Sequence, residues 1–279
     1  MNRLYRSIAT VCICGLISCA SAASGFAQTS PDQYKPTVGQ PGKDAVWVPT
    51  APALVEKMLD MAKVTPKDFV MDLGSGDGRN VIAAAKRGAR ALGVEYNNDL
   101  VQLSNRLAAE AGVADKAKFV QGDMYAADIS QATVLALFLL TENMDRMVPK
   151  FLALKPGTRI VVNTFGITGW TPDETERLEQ DCTNWCTSQL WIVPAKVEGS
   201  WQLPEGDLTF KQDFQMLSGG LTRKDGSKAS LEGRLRGDQI HFTIDGAQYE
   251  GRVSANSIDG TVTKGGSKSA WKATKAASR

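Results

Sequence analysis

The chain has 279 residues, 43% of them hydrophobic, with 32 Lys and Arg against 30 Asp and Glu and a single histidine. A chain of this length can bury a core without disulfides or metals to hold it, and the near balance of charge excludes both a global basic field for nucleic acid and an acidic solvating tail. One histidine excludes histidine-rich metal sites, so no metal site is expected; His241, in the alternating run Gln239-Ile-His-Phe-Thr-Ile244, reads as a strand-face residue.

The first 27 residues have the form of an export signal. Arg3 and Arg6 open it, Ile8 to Ile17 is an apolar run too short to span a bilayer comfortably, and small residues follow. Two processing routes fit. Gly25-Phe-Ala27 ahead of Gln28 has the small-x-small form of an ordinary cleavage site, whereas Leu16-Ile-Ser-Cys19 resembles a bacterial lipobox, and only lipidation at Cys19 would attach the protein to a membrane. The expected location is periplasmic or secreted. Cys12, Cys14 and Cys19 lie in this leader, leaving Cys182 and Cys186 in a conventionally cleaved chain. In an oxidising compartment that pair is expected to bridge, with two free thiols as the alternative.

Residues 28–45 are rich in Pro, Gly, Gln and Lys without periodicity and read as an extended arm. From 46 to 196 the two periods alternate. A helix over Pro52 to Ala62 precedes a strand at Phe69 to Leu73. Helices at Asn80 to Arg87, Asp99 to Ala111 and Met144 to Leu152 then alternate with strands at Ala91 to Val94, Lys118 to Val120, Thr133 to Leu140 and Arg159 to Phe165. This pattern predicts an α/β domain with a doubly wound parallel, Rossmann-like sheet. From 197 to 279 it gives way to short alternating runs, including Leu208 to Leu217 taken as one strand. Turn signals at Arg236-Gly-Asp238, Asp245-Gly246 and Asp259-Gly260 separate such runs, predicting a small antiparallel β sandwich or barrel.

The first strand ends in Asp72, and Gly74-Ser-Gly-Asp-Gly78 runs straight into a helix. Glycines there let the backbone turn sharply and let a ligand approach closely, at the place where doubly wound sheets bind small molecules. Arg79 occupies the position where a dinucleotide fingerprint has its last glycine, which disfavours a nicotinamide oxidoreductase. Asp77 repels a pyrophosphate but tolerates a ligand carrying a sulfonium and an ammonium, unless it serves only to cap the helix. Glu95 ends the second strand, placed to accept bonds from ribose hydroxyls, and Gly122-Asp123-Met124 follows the third, offering an acceptor for an adenine amine and an apolar neighbour for its ring.

Asp72-Leu-Gly-Ser-Gly-Asp-Gly78, Glu95 and Gly122-Asp123-Met124 together resemble the successive motifs of the class I S-adenosylmethionine-dependent methyltransferases, over roughly Val46 to Ile167. The resemblance implies that Asp72, Gly74, Gly76 and Gly78 hold the methionine part, Glu95 the ribose, and Asp123 with Met124 the adenine. Val48-Pro-Thr50 and Phe138-Leu-Leu140 narrow it to the group of ATP synthase c-subunit lysine methyltransferases, and to exported bacterial relatives with an added β domain. Thr141 departs from the proline common there, and the Asn-Pro-Pro-Tyr loop of other members is absent. The acceptor implied is an amine such as a protein lysine, with no nucleic acid partner. Glu142, as a proton acceptor, and Trp170, facing an alkylammonium, are the candidate catalytic residues. A scaffold or ligand-binding protein that keeps the fold without turnover is the alternative reading.

Overall fold

The computed structural model describes residues 34–276; the expected export signal, with its alternative processing points at Cys19 and Gln28, lies outside the described residues. Helices α1 (Pro52–Met61), α2 (Arg79–Lys86), α3 (Asn98–Glu110) and α4 (Thr141–Phe151) alternate with strands β1 (Phe69–Leu73), β2 (Arg90–Glu95), β3 (Ala117–Gln121), β4 (Val134–Leu137) and β5 (Arg159–Asn163). Two helix starts have a local cause. Pro52 opens α1 where its missing N–H costs nothing, and Asn97 caps α3 by accepting from the Asp99 N–H at 2.9 Å.

These five strands pair in parallel, and β6 (Glu174–Arg177) and β7 (Thr187–Ile192) extend the sheet antiparallel, giving the order β3-β2-β1-β4-β5-β7-β6. Both faces are covered, so successive strand residues alternate between two apolar cores instead of between core and water. Val70, Val134, Ala136 and Val161 pack with Leu54, Met58 and Leu59 of α1. Met71, Leu135, Leu137, Ile160 and Val162 pack on the other side with Met144, Met147 and Phe151 of α4. The ion pair of Asp68 with Arg159 locks the start of β1 to the start of β5. Asp68 also accepts from the Thr65 N–H and the Thr133 hydroxyl, both at 2.8 Å. Burial opposes ionisation of its carboxyl, but these donors and the guanidinium outweigh it and hold the carboxyl below the usual aspartate range. The lowered folded value means stabilisation present above the unfolded value and lost as pH falls through the folded one. Asp68→Ala should therefore destabilise the protein by about 2 kcal/mol at neutral pH. Urea midpoints measured against pH should show the gap to wild type closing on the acid limb.

The remaining strands, β8 (Gly199–Leu203), β9 (Gly206–Asp213), β10 (Met216–Arg223), β11 (Lys228–Arg236), β12 (Gln239–Ile244), β13 (Ala247–Ser254), β14 (Ser257–Lys264) and β15 (Ser267–Lys275), close into an eight-stranded barrel. Its interior is filled by aromatic rings: Phe242 stacks on Tyr249 at 4.8 Å and meets Phe210 and Trp271 edge-on, both at 5.4 Å. His241 is on the outer face of β12, as alternation requires. Two readings of this half need correction. Leu208 to Leu217 is a hairpin, turned at Phe214-Gln215 by a Phe214 φ of 49° that its sequence does not advertise. Asp259-Gly260 lies inside β14; the actual turn is Ala255-Asn256, again with a positive φ at a residue other than glycine.

Sheet and barrel belong to one compact unit. At their junction Trp170 stacks on Phe214 at 5.0 Å, the Gln215 side chain donates to the Thr171 carbonyl at 2.7 Å, and Arg234 pairs at 2.6 Å with the enclosed carboxylate of Asp173.

Candidate active site

A cavity of about 480 Å³ opens at the carboxyl ends of β1, β2 and β4, where the strand order switches direction. Its floor is the glycine turn. Gly76 has φ +55°, and a Cβ there would come within 2.7 Å of the Trp47 indole nitrogen, so the turn has no room for a side chain. The Ser104 hydroxyl donates to the Gly76 carbonyl at 3.0 Å and fixes the turn from behind.

Asp72, Gly74, Gly76, Glu95, Asp123 and Met124 all line this cavity, brought together from three strand ends spanning 53 positions of sequence. Gly78 does not line it. It starts α2 with φ +81°, and a Cβ on it would collide with the Phe119 ring at 2.5 Å, so this glycine serves helix–strand packing. Asp77 does line the cavity, and its carboxylate is gripped by Arg79 through bonds of 2.9 and 2.5 Å, with the Arg79 backbone N–H at 3.4 Å.

The carboxylates differ in what holds them. Asp72 is 3% exposed and accepts from the Asn80 amide at 3.1 Å. Burial pushes its carboxyl well above the usual range, and the charges of Glu95 and Asp77 push the same way against the Asn80 amide and the Leu73 backbone N–H. Glu95 is anchored by backbone donors on both oxygens, the Gly76 N–H and the Asn97 N–H, each at 2.9 Å. Each oxygen keeps a lone pair for a ligand hydroxyl. Asp123 accepts from the Tyr125 N–H at 2.8 Å and from Lys43 at 2.5 Å, and the Lys43 bond holds its carboxyl below the usual range.

Lys43 arrives from the segment expected to be a featureless arm. Residues 34–50 contain no helix or strand, but they cross the cavity mouth. Paired backbone bonds of Gly39 and Gln40 with Trp47 close the loop, and Lys43 lies 5.1 Å over the Tyr96 ring. Sequence reasoning missed this wall, and with it Trp47, Lys43, Tyr96 and Asn80. The Pro and Gly content there signals irregular backbone but carries no information about what the backbone covers.

The two candidate catalytic residues are elsewhere. Trp170 is 1% exposed, enclosed at the barrel junction, with its carbonyl accepting from the Trp191 indole at 2.8 Å. Glu142 is exposed in the first turn of α4. Neither lines the cavity. The aromatic group that does reach it from the β4 end is Phe138.

The donor set suits S-adenosylmethionine. A buried carboxylate whose ionisation is opposed by burial and by two neighbouring acids is stabilised by a cation, and the methionine part carries an α-ammonium as well as the sulfonium. The two-oxygen Glu95 matches a ribose diol, and the cavity volume is that of a site for a ligand of this size.

This sheet order, with an antiparallel β7 between β5 and β6, and these acids at three successive strand ends define the class I S-adenosylmethionine-dependent methyltransferases. Residues 72–174 match the ANTKMT methyltransferase domain. Over 150 residues the chain is 42% identical to a protein-lysine N-methyltransferase of Saccharolobus islandicus (strain REY15A), covering 53% of this chain and 92% of that protein. It is 38% identical over 130 residues to the Mus musculus lysine N-methyltransferase named for the ATP synthase c-subunit, with 46% of this chain and 52% of that one covered. Among solved structures, an RNA methyltransferase from Salinibacter ruber in complex with S-adenosyl-L-homocysteine superposes with a TM-score of 0.51 at 43% identity, covering 54% of this chain and 96% of that one. The chain belongs to the same family of S-adenosylmethionine-dependent methyltransferases as the Saccharolobus protein, and it is an enzyme of that kind.

Proposed function

We propose that this methyltransferase N-methylates an amine, a lysine side chain of a protein, and that it does so outside the cytosol. The observation that carries the acceptor is the 42% identity to a protein-lysine N-methyltransferase across 92% of that protein's length. The Salinibacter relative is named for RNA, but the balanced charge of this chain supplies no field to hold a phosphate backbone. Support for export is the leader sequence together with the bridge that joins Cys182 to Cys186.

When bound, S-adenosylmethionine supplies a methyl group already activated on a sulfonium sulfur, which leaves as a neutral thioether when an amine lone pair takes the carbon. The protein's part is to orient and to exclude water. Asp72 takes the ammonium, with Gly74 and Gly76 letting the backbone close on it. Glu95 takes the ribose, and Asp123 with Met124 the adenine. The apolar rim of Phe138 and Leu139 favours the neutral amine by withholding water from the ammonium.

Incubation with methyl-labelled cofactor and an envelope extract, followed by mass spectrometry, should place label on lysine. Label on RNA or lipid would overturn the acceptor. The processed protein should begin at Gln28 or Cys19 by intact mass, and Cys182 and Cys186 should resist alkylation until reduced; an unprocessed chain would refute export.

A further inference from the structure

Three aromatic rings from three separate segments meet at one end of the cofactor cavity. Phe138 follows β4 and lines the cavity. Its ring stacks on Phe165, two residues past β5, at 6.0 Å and 11°, and meets Trp185, in the loop between β6 and β7, at 6.1 Å and 58°. This cluster lies on the β4 and β5 side, away from the acids on β2 and β3 that face the nucleoside, so it is at the end left for the second substrate.

Trp185 is costly to keep where it is. Its indole is 42% exposed, although large apolar rings gain from burial, and its backbone has φ +54°, a conformation that disfavours any residue with a Cβ. The Cys182–Cys186 bridge closes a five-residue loop around it. On the far side the loop is anchored to the sheet by the Leu178 N–H, which donates to the Cys186 carbonyl at 2.9 Å. Beside it Glu179 is shared with Arg177 at 3.9 Å, and Asp181 is exposed. Strain, exposure and a covalent brace at one aromatic residue next to a cofactor cavity have a common explanation in ligand contact.

We propose that Trp185, with Phe165 and Phe138, forms the wall that receives the alkylammonium arm of the acceptor lysine, and that the Cys182–Cys186 bridge is the positioning device that presents Trp185 to it. The aromatic faces attract the cation as which the lysine arrives and the methylated product leaves, the apolar rings pack along its methylenes, and the proton shed in between passes to water. The assignment rests on the amine reading given above. It places the acceptor-side tryptophan at 185, in a loop that the methionine, ribose and adenine contacts do not touch.

The test uses the full mature protein and a short N-acetylated, C-amidated peptide with a single lysine. Trp185→Ala should raise the KM for peptide roughly tenfold. The Kd for S-adenosylhomocysteine by calorimetry should stay within about twofold, because Trp185 lies outside the cofactor's contacts. Trp185→Phe should restore most of the loss, and the Cys182→Ser, Cys186→Ser double variant should move KM in the same direction as Trp185→Ala. An unchanged KM in Trp185→Ala, or a cofactor Kd that rises in step with it, overturns the assignment. Titrating the homocysteine complex with peptide gives a readout free of turnover: the indole N–H resonance missing from Trp185→Phe should shift in wild type. A shift without any methyl transfer would remove the proposed activity and leave the wall; methyl transfer with no shift would remove the wall and leave the activity.

Discussion

Replacing Glu95 by alanine should weaken binding of S-adenosylmethionine about a hundredfold or more, the largest loss expected from any single side chain in the cavity. Two charge-assisted bonds to the ribose hydroxyls disappear, each contributing about 1.5 to 3 kcal/mol, and 1.4 kcal/mol is a factor of ten. The same carboxylate also accepts the Gly76 and Asn97 N–H groups, so alanine leaves two backbone donors without a partner and loosens the floor of the cavity. Glu95→Gln separates the two effects. Its single carbonyl oxygen can keep one backbone donor and one hydroxyl, so its affinity should fall between wild type and alanine. Calorimetry on the three proteins, with thermal melts alongside, checks this ordering; alanine binding as tightly as wild type would remove Glu95 from the ribose.

Asp72→Asn should have the opposite effects on stability and on binding. The Asp72 carboxyl is pushed up first by burial, then by Glu95 and Asp77, against the Asn80 amide. A folded value above the unfolded one gives a contribution that is intact below the unfolded value and lost as pH rises through the folded value. As pH rises above the unfolded value the carboxyl therefore weighs increasingly against the empty protein, and the neutral amide should raise its Tm at neutral pH and above. Binding reverses the balance, because an ammonium beside the carboxylate lowers its pKa again. Wild-type protein should accordingly release a proton as it binds below the raised value, with affinity rising as pH rises toward it. The Asp72→Asn variant should show no such release and bind roughly tenfold or more weakly. Calorimetry in buffers of different ionisation enthalpy measures the proton directly. A neutral-pH Tm lower in Asp72→Asn than in wild type would refute the buried-charge account.

The order of elements along the first half was legible because hydrophobic period and turn residues are local signals. Phe69 to Leu73 reads as a buried strand, Gly74 to Gly78 as a tight turn, and Asp72, Glu95 and Asp123 as strand-end acids, all within short windows. Strands β6 and β7 escaped that reading. Glu174–Arg177 is charged and mostly exposed at the sheet edge, and Thr187–Ile192 mixes polar with apolar residues without clean alternation.

The sequence by itself determined the doubly wound sheet, the β half that follows it and the position of the cofactor turn, since each depends on residues close together in the chain. Tertiary structure alone decided which residues complete the site. The sequence reading places an acceptor aromatic at Trp170, but that ring is drawn into the core by Phe214, 44 positions later, while Trp185, which sequence reasoning missed, stands exposed in the Cys182–Cys186 loop beside Phe138. Gly76 and Gly78 are the same residue type in the same turn, and only the placement of Trp47 and Phe119 makes one a cavity floor and the other a packing contact. Lys43 reaches Asp123 across 80 positions. Side-chain partnership at such separations depends on how layers pack, and neither period nor propensity encodes it.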